Sequence, residues 1–114
     1  MKLLIVGSRS ISSFDLTEYI PQEVSCIISG GARGVDTLAE EYADKHRLSK
    51  IILRPQYARY GKGAPLYRNE EAVTLCDRVL VIWDGVSRGT QNTISLAKKA
   101  NKPITLITLP TKNQ

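Results

Sequence analysis

Five short apolar runs, Lys2–Val6, Val24–Ile28, Lys50–Leu53, Val79–Trp83 and Ile104–Leu109, alternate with stretches of helical periodicity, and this alternation restricts the fold more than any other feature. The runs are rich in Val, Ile and Leu without a polar alternation, the pattern of strands buried on both faces. Parallel neighbours need crossovers, and right-handed crossovers place helices on the two sides of a sheet. The expectation is an α/β fold, a Rossmann-like three-layer sandwich with a five-stranded parallel sheet. A chain of 114 residues, 42% hydrophobic and 24% charged, suits one such domain over 1–114 and is too short for two.

Between the runs, Val35, Leu38, Ala39, Tyr42 and Ala43 recur at helical spacing while Glu40, Glu41, Asp44 and Lys45 take the other face, giving the clearest helix. Ser12 or Ser13 offers an N-cap for a short helix to Ile20, stopped by Pro21. Tyr67 to Cys76 and Thr90 to Ala100 read as two further helices. Pro55–Pro65 reads as a long loop, Asp84–Gly89 as a turn and Thr111–Gln114 as a polar tail. Cys26 and Cys76 form no metal-ligand or redox pattern and read as reduced packing residues, and the single histidine, His46, reads as a helix C-terminal residue. No metal and no separate cofactor are expected. The apolar stretch after Met1 is too short for a signal peptide or a span, so the expected location is cytoplasmic, with no membrane partner.

Charge is concentrated in the connections. The segments 7–11, 29–34, 54–68 and 84–90 hold seven of the sixteen basic residues and one of the eleven acids, so they net +6 in a chain of net charge +5. Strand-to-helix loops of a parallel sheet all emerge at the carboxyl ends of the strands, so these charges are expected to share one edge and attract an anion there. Ser29-Gly30-Gly31-Ala32-Arg33-Gly34-Val35-Asp36 joins a strand to a helix through three glycines, a turn suited to a phosphate, with Arg33 as its fixed charge. Gly7-Ser8-Arg9 and Asp84-Gly85-Val86-Ser87-Arg88-Gly89-Thr90 repeat the combination of turn, hydroxyl and guanidinium. In the third connection Tyr57, Tyr60 and Tyr67 alternate with Arg54, Arg59, Lys62 and Arg68, the pairing of aromatic faces and cations used by single-strand binders and nucleotide pockets. Neither a Walker A nor a G-x-G-x-x-G motif is present, and Trp83 reads as core or pocket wall.

Val6-Gly7-Ser8-Arg9, Ser29–Asp36, Arg68-Asn69 with Asp77–Val81, and Ser87-Arg88-Gly89-Thr90 with Ala97 and Lys102-Pro103 resemble, in the same order, motifs of the SLOG superfamily. That Rossmann-like group unites the DNA-processing protein DprA, the LOG cytokinin-activating phosphoribohydrolases and small stand-alone proteins. The resemblance implies a nucleotide or nucleotide-derived ligand, held by the Gly30–Gly34 loop with Arg33, Arg68, Asn69, Gly89 and Thr90 as contacts. LOG enzymes carry a glutamate three residues after the GT pair, and Thr93 stands there in this chain, which removes the carboxylate that glycosidic cleavage needs.

The expected site therefore comprises Gly7, Ser8, Arg9, Gly30, Gly31, Arg33, Gly34, Asp36, Arg68, Asn69, Asp84, Ser87, Gly89 and Thr90, used to hold the ligand as a sensor or carrier module. Single-stranded DNA is the alternative partner, and hydrolysis of nucleoside monophosphates, with Asp36 and Asp84 replacing the glutamate, is the alternative activity. Ile94, Leu96 and Ala97 leave room for a homo-oligomer without specifying one.

Overall fold

A computed structural model describes residues 1–110; the tail read at Thr111–Gln114 lies outside the described residues. The chain forms strands β1 (Lys2–Gly7), β2 (Cys26–Ser29), β3 (Ser49–Ile52), β4 (Arg78–Trp83) and β5 (Ile104–Thr108), with helices α1 (Val35–Lys45), α2 (Tyr57–Tyr60), α3 (Ala64–Leu75) and α4 (Arg88–Lys99). The sheet order is β3-β2-β1-β4-β5 and every pairing is parallel. The expected α/β sandwich with a five-stranded parallel sheet is the observed architecture.

Successive residues of the strands feed opposite layers, as the two-residue period requires. Leu3, Ile5, Ile27, Leu80 and Ile82 pack against Val35, Ala39 and Ala43 of α1 and against Leu16, Ile20 and Val24 from the β1–β2 connection. On the other face Leu4, Ile28, Val79 and Val81 meet Ala72, Val73 and Cys76 of α3 and Ile94 and Ala97 of α4. The alanines at the helix contacts let the backbone approach the sheet closely, and each large side chain so buried contributes about 1.5–3 kcal/mol. Both cysteines are buried and unbridged, and burial pushes the Cys76 thiol above its ordinary range.

Three connections differ from the sequence reading. Only a single 3-10 turn, Thr17–Tyr19, forms where a helix to Ile20 is expected. There the Asp15 carboxylate accepts the Thr17 N–H at 3.0 Å, a local bond that competes with helical pairing. In the stretch read as the long loop Pro55–Pro65, α2 and a 3-10 turn at Gly61–Gly63 form, and α3 begins at Ala64. Pro65 falls in the first turn of α3, where its missing N–H removes no bond, so a proline read as the end of a loop is the start of a helix. At the sheet edge, β5 is half-exposed with Leu106 45% accessible, because only one strand pairs with it.

β1, β2 and β3 step outward in one direction, and the connection through α3 then carries the chain back across β1 to β4. The loops leaving β1 and β4 consequently diverge, and a crevice opens between them at the carboxyl edge of the sheet. No helix of the described residues is long and apolar enough to cross a membrane.

Candidate functional site

At this switch point lies a cleft of about 510 Å³. It is walled by Gly7, Arg9 and Ser10 after β1, Gly30, Ala32 and Asp36 after β2, Pro65, Leu66, Arg68 and Asn69 of α3, and Asp84 and the residues Ser87–Thr90, Asn92 and Thr93 that open α4. Of the residues read from sequence, Gly7, Arg9, Gly30, Asp36, Arg68, Asn69, Asp84, Ser87, Gly89 and Thr90 are thus brought together. Ser8, Gly31, Arg33 and Gly34 are not among the lining residues.

Ser8 is almost wholly buried beneath the cleft floor, and its hydroxyl accepts the Asp84 N–H at 2.9 Å. Ser87 Oγ lies 3.1 Å from Ser8 Oγ and 3.0 Å from Asp84 Oδ2. Asp84 Oδ1 in turn accepts the Val86 and Ser87 amides, both at 2.9 Å. This chain of bonds ties the end of β1 to the turn after β4. Desolvation pushes the Asp84 carboxyl up, but the amides of Val86 and Ser87 and the Ser87 hydroxyl outweigh it and hold the group at about 2. Asp84 is therefore an ionised turn residue whose Oδ1 accepts the amides of its own loop, while Oδ2 accepts the Ser87 hydroxyl and, at 3.4 Å, the Ser10 hydroxyl of the β1 loop.

The same network sets the start of α4. Ser87 occupies the N-cap position yet makes no capping bond, because its hydroxyl is turned to Asp84 and Ser8. Its carbonyl accepts the Gln91 N–H at 3.2 Å and the Trp83 indole N–H at 3.1 Å, which fixes the helix direction. The amides of Arg88, Gly89 and Thr90 have no acceptor among the described residues. Thr90 is 6% exposed, and its hydroxyl also has no partner there. Every fully buried side-chain polar atom described is paired, so that hydroxyl must reach the open cleft. A helix N-terminus whose first amides and Thr90 hydroxyl have no partner among the described residues, in a cleft that Arg88 and Arg9 also line, favours an anion.

The glycine turn after β2 is arranged differently. Gly31 N–H donates to Ser29 Oγ at 3.1 Å, Ala32 N–H to Asp36 Oδ2 at 3.1 Å and Val35 N–H to the Ser8 carbonyl at 3.3 Å. Its carbonyls are also engaged, since Arg68 Nη1 donates to Gly30 O at 2.8 Å and Arg54 Nη1 to Gly31 O at 3.0 Å. Gly34 has φ 75°, and a Cβ there would stand 2.5 Å from the Ser8 carbonyl oxygen and 2.6 Å from Arg9 Cα. Gly7 similarly leaves space for Val35, whose Cγ2 would lie 2.5 Å from an added Cβ. These glycines pack two loops together. Arg33 is exposed and outside the cleft, so the geometry does not support the sequence expectation that it anchors the ligand.

Asp36 is the buried acid of the site, 7% exposed in the first turn of α1. Desolvation raises its carboxyl above the ordinary range despite the Ala32 amide and the field of Arg68. Burial in turn pulls Arg68 down from its usual value, opposed by Asp36. Besides clamping Gly30, Arg68 donates through Nε to Asn69 Oδ1 at 2.9 Å, and Asn69 Nδ2 donates to Asn92 Oδ1 at 2.9 Å. Asn92 and Arg88 were not singled out as site residues from the sequence. Arg88 adjoins the Gly89-Thr90 signal, whereas Asn92 has no local signature and is identified only by its pairing across to α3.

Thr93 lines the cleft with its hydroxyl donated to Gly89 O at 3.3 Å, so no carboxylate stands at that position. Among the described residues no group of three or more His, Cys, Asp or Glu side chains is placed to hold a metal. No family model, curated protein or solved structure matches the chain.

Proposed function

We propose that the chain binds a nucleotide or nucleotide-derived ligand in the switch-point cleft, with the phosphate at the N-terminus of α4, and acts as a sensor or carrier module. The observation that carries this reading is the uncapped α4 terminus, where the Gly89 and Thr90 amides and the Thr90 hydroxyl belong to cleft-lining residues and have no protein partner among the described residues. A helix terminus favours an anion by about 0.3–1 kcal/mol and each charge-assisted hydrogen bond by about 1.5–3 kcal/mol. Two or three such bonds contribute about 3–9 kcal/mol toward the roughly 8 kcal/mol of micromolar binding, and Arg9 or Arg88 and contacts to the rest of the nucleotide must offset the association cost. The resemblance to the SLOG superfamily points to the same ligand class, and membership in it is part of this proposal.

Calorimetric titration with AMP and adenosine tests the phosphate assignment. AMP is expected to bind in the micromolar range and adenosine at least tenfold more weakly; equal affinities, or no binding by any 5′-nucleotide, would overturn it. A second reading, hydrolysis of a nucleoside monophosphate, is favoured by the placement of Asp36 and Asp84 on one cleft, with proton affinities displaced in opposite directions. It requires release of free base from AMP that Asp36→Asn abolishes. Absence of base release by the wild type eliminates it.

A further inference from the structure

We propose that the cleft is one half of a two-nucleotide site, and that a second base stacks on Tyr67 in the furrow between α3 and α4. The inference rests on the nucleotide reading of the cleft and extends it to a ligand with two nucleotide units joined by a phosphodiester.

The cleft is not closed on the side of α3. A recess of about 360 Å³ shares Leu66 and Asn92 with it, and Tyr67, Glu70 and Leu96 then pass from that recess into a groove of about 680 Å³. Arg68 walls both the cleft and the groove. By these shared walls the three spaces follow one another as a path along α3.

Tyr67 stands on that path 52% exposed, and neither Tyr60 nor Tyr67 belongs to the clusters that hold the sheet. The ring is nevertheless held in place. It stacks on Tyr60 with centroids 4.1 Å apart and planes inclined by 22°, and the Arg59 guanidinium sits 5.1 Å from the Tyr60 centroid. A supported, solvent-facing aromatic ring loses little freedom when a base stacks on it. Around the groove Arg54, Arg59, Arg68 and Lys99 outnumber Glu70 and Glu71, an excess that complements a phosphodiester. An uncharged aromatic partner alone would leave that net positive charge uncompensated.

The test is calorimetric titration of the whole chain with AMP, with the 5′-phosphorylated diadenylate pApA and with an octa-adenylate, using the wild type and Tyr67→Leu, which keeps apolar bulk without an aromatic face. pApA is expected to bind about tenfold or more tighter than AMP. Tyr67→Leu should bring pApA to the affinity of AMP and leave AMP unchanged. Equal binding of AMP and pApA by the wild type, or a Tyr67→Leu variant that keeps the gain, overturns the second subsite while the cleft reading stands. Failure of both nucleotides to bind overturns the cleft reading itself. An octa-adenylate no tighter than pApA supports a free dinucleotide; a further gain that falls steeply with salt supports a single strand running through the furrow. A dimer in sedimentation that Tyr67→Leu dissociates would also overturn the proposal, because the ring would then be covered by a second copy.

Discussion

The turns after β2 and after β4 both join a strand to a helix at the same sheet edge, yet they engage their backbone groups to different extents. After β2 the amides of Gly31, Ala32 and Val35 and the carbonyls of Gly30 and Gly31 are paired within the protein. After β4 the turn is tied through Asp84 and Ser87 to itself and to Ser8 of the β1 loop, and the Arg88, Gly89 and Thr90 amides have no acceptor among the described residues. Glycine content therefore marks where the chain must approach itself closely. Open amides occur at both turns, at Arg33, Gly34, Asp36 and Thr37 as well as at Arg88, Gly89 and Thr90 among the described residues, but only at α4 do the first three helical amides all stay open beside an unpartnered hydroxyl.

The same substitution in each turn breaks or confirms this contrast with the largest expected effect. Gly34→Ala sets a Cβ against the Ser8 carbonyl and Arg9 Cα at a positive φ, and is expected to cost about 3 kcal/mol or more, read as a lower urea midpoint. Gly89→Ala meets nothing within 4 Å and should leave stability unchanged or raise it by about 0.4–1 kcal/mol. Equal losses at both positions would remove the distinction between a packing turn and an open one.

A smaller effect separates binding from folding at α4. Thr90→Val keeps the shape of the side chain and removes a cleft hydroxyl that has no protein partner among the described residues. AMP affinity is expected to fall about fivefold to twentyfold, about 1–1.8 kcal/mol, with the urea midpoint unchanged. A variant with intact affinity would move the phosphate away from α4.

The two acids sharpen the contrast through pH. Asp84, held at about 2, contributes stability that is present above the ordinary carboxyl range and is lost as pH falls toward 2. Asp84→Ala removes that contribution at neutral pH, about 1 kcal/mol at this solvent-screened turn, and the gap from wild type should narrow below pH 4. Asp36 runs the other way. Its carboxyl is raised, so the folded state holds the proton longer, and stability declines as pH rises from the unfolded carboxyl range through the raised folded value. Asp36→Asn is expected to flatten that decline in urea unfolding across pH 4 to 7, whereas a parallel profile would mean that burial does not penalise the charge.

The sheet was readable because its strands are buried on both faces: Leu3, Leu4, Ile5, Val79, Val81 and Ile82 cannot serve a one-sided element. Most of the cleft was readable too, since glycines, hydroxyls and arginines at strand ends can be ordered by topology alone. What the chain did not disclose locally were pairings across it. Nothing near Asn92 announces its bond to Asn69, and nothing near Ser87 announces that Ser8, far away in sequence, draws its hydroxyl off the helix cap. Pro65 misled for a different reason, because a proline suits both a loop and a first helical turn.

Arg33 and Arg88 give the finest comparison, because composition alone makes them equivalent: each is an exposed guanidinium in a glycine-containing strand-to-helix turn. Placement separates them. Arg88 lines the cleft beside the open amides of α4, whereas Arg33 does not line it and follows amides already committed to Ser29 and Asp36. Arg88→Ala is expected to weaken AMP about threefold to tenfold and to reduce the salt dependence of binding, since one charge contact with the phosphate is lost. Arg33→Ala is expected to change AMP affinity by less than twofold and stability by under about 0.5 kcal/mol, as for a surface residue away from any cap or core contact. If Arg33→Ala proved the more damaging of the two, the phosphate would belong at the glycine turn after all, at the Arg33 and Gly34 amides, which have no acceptor among the described residues.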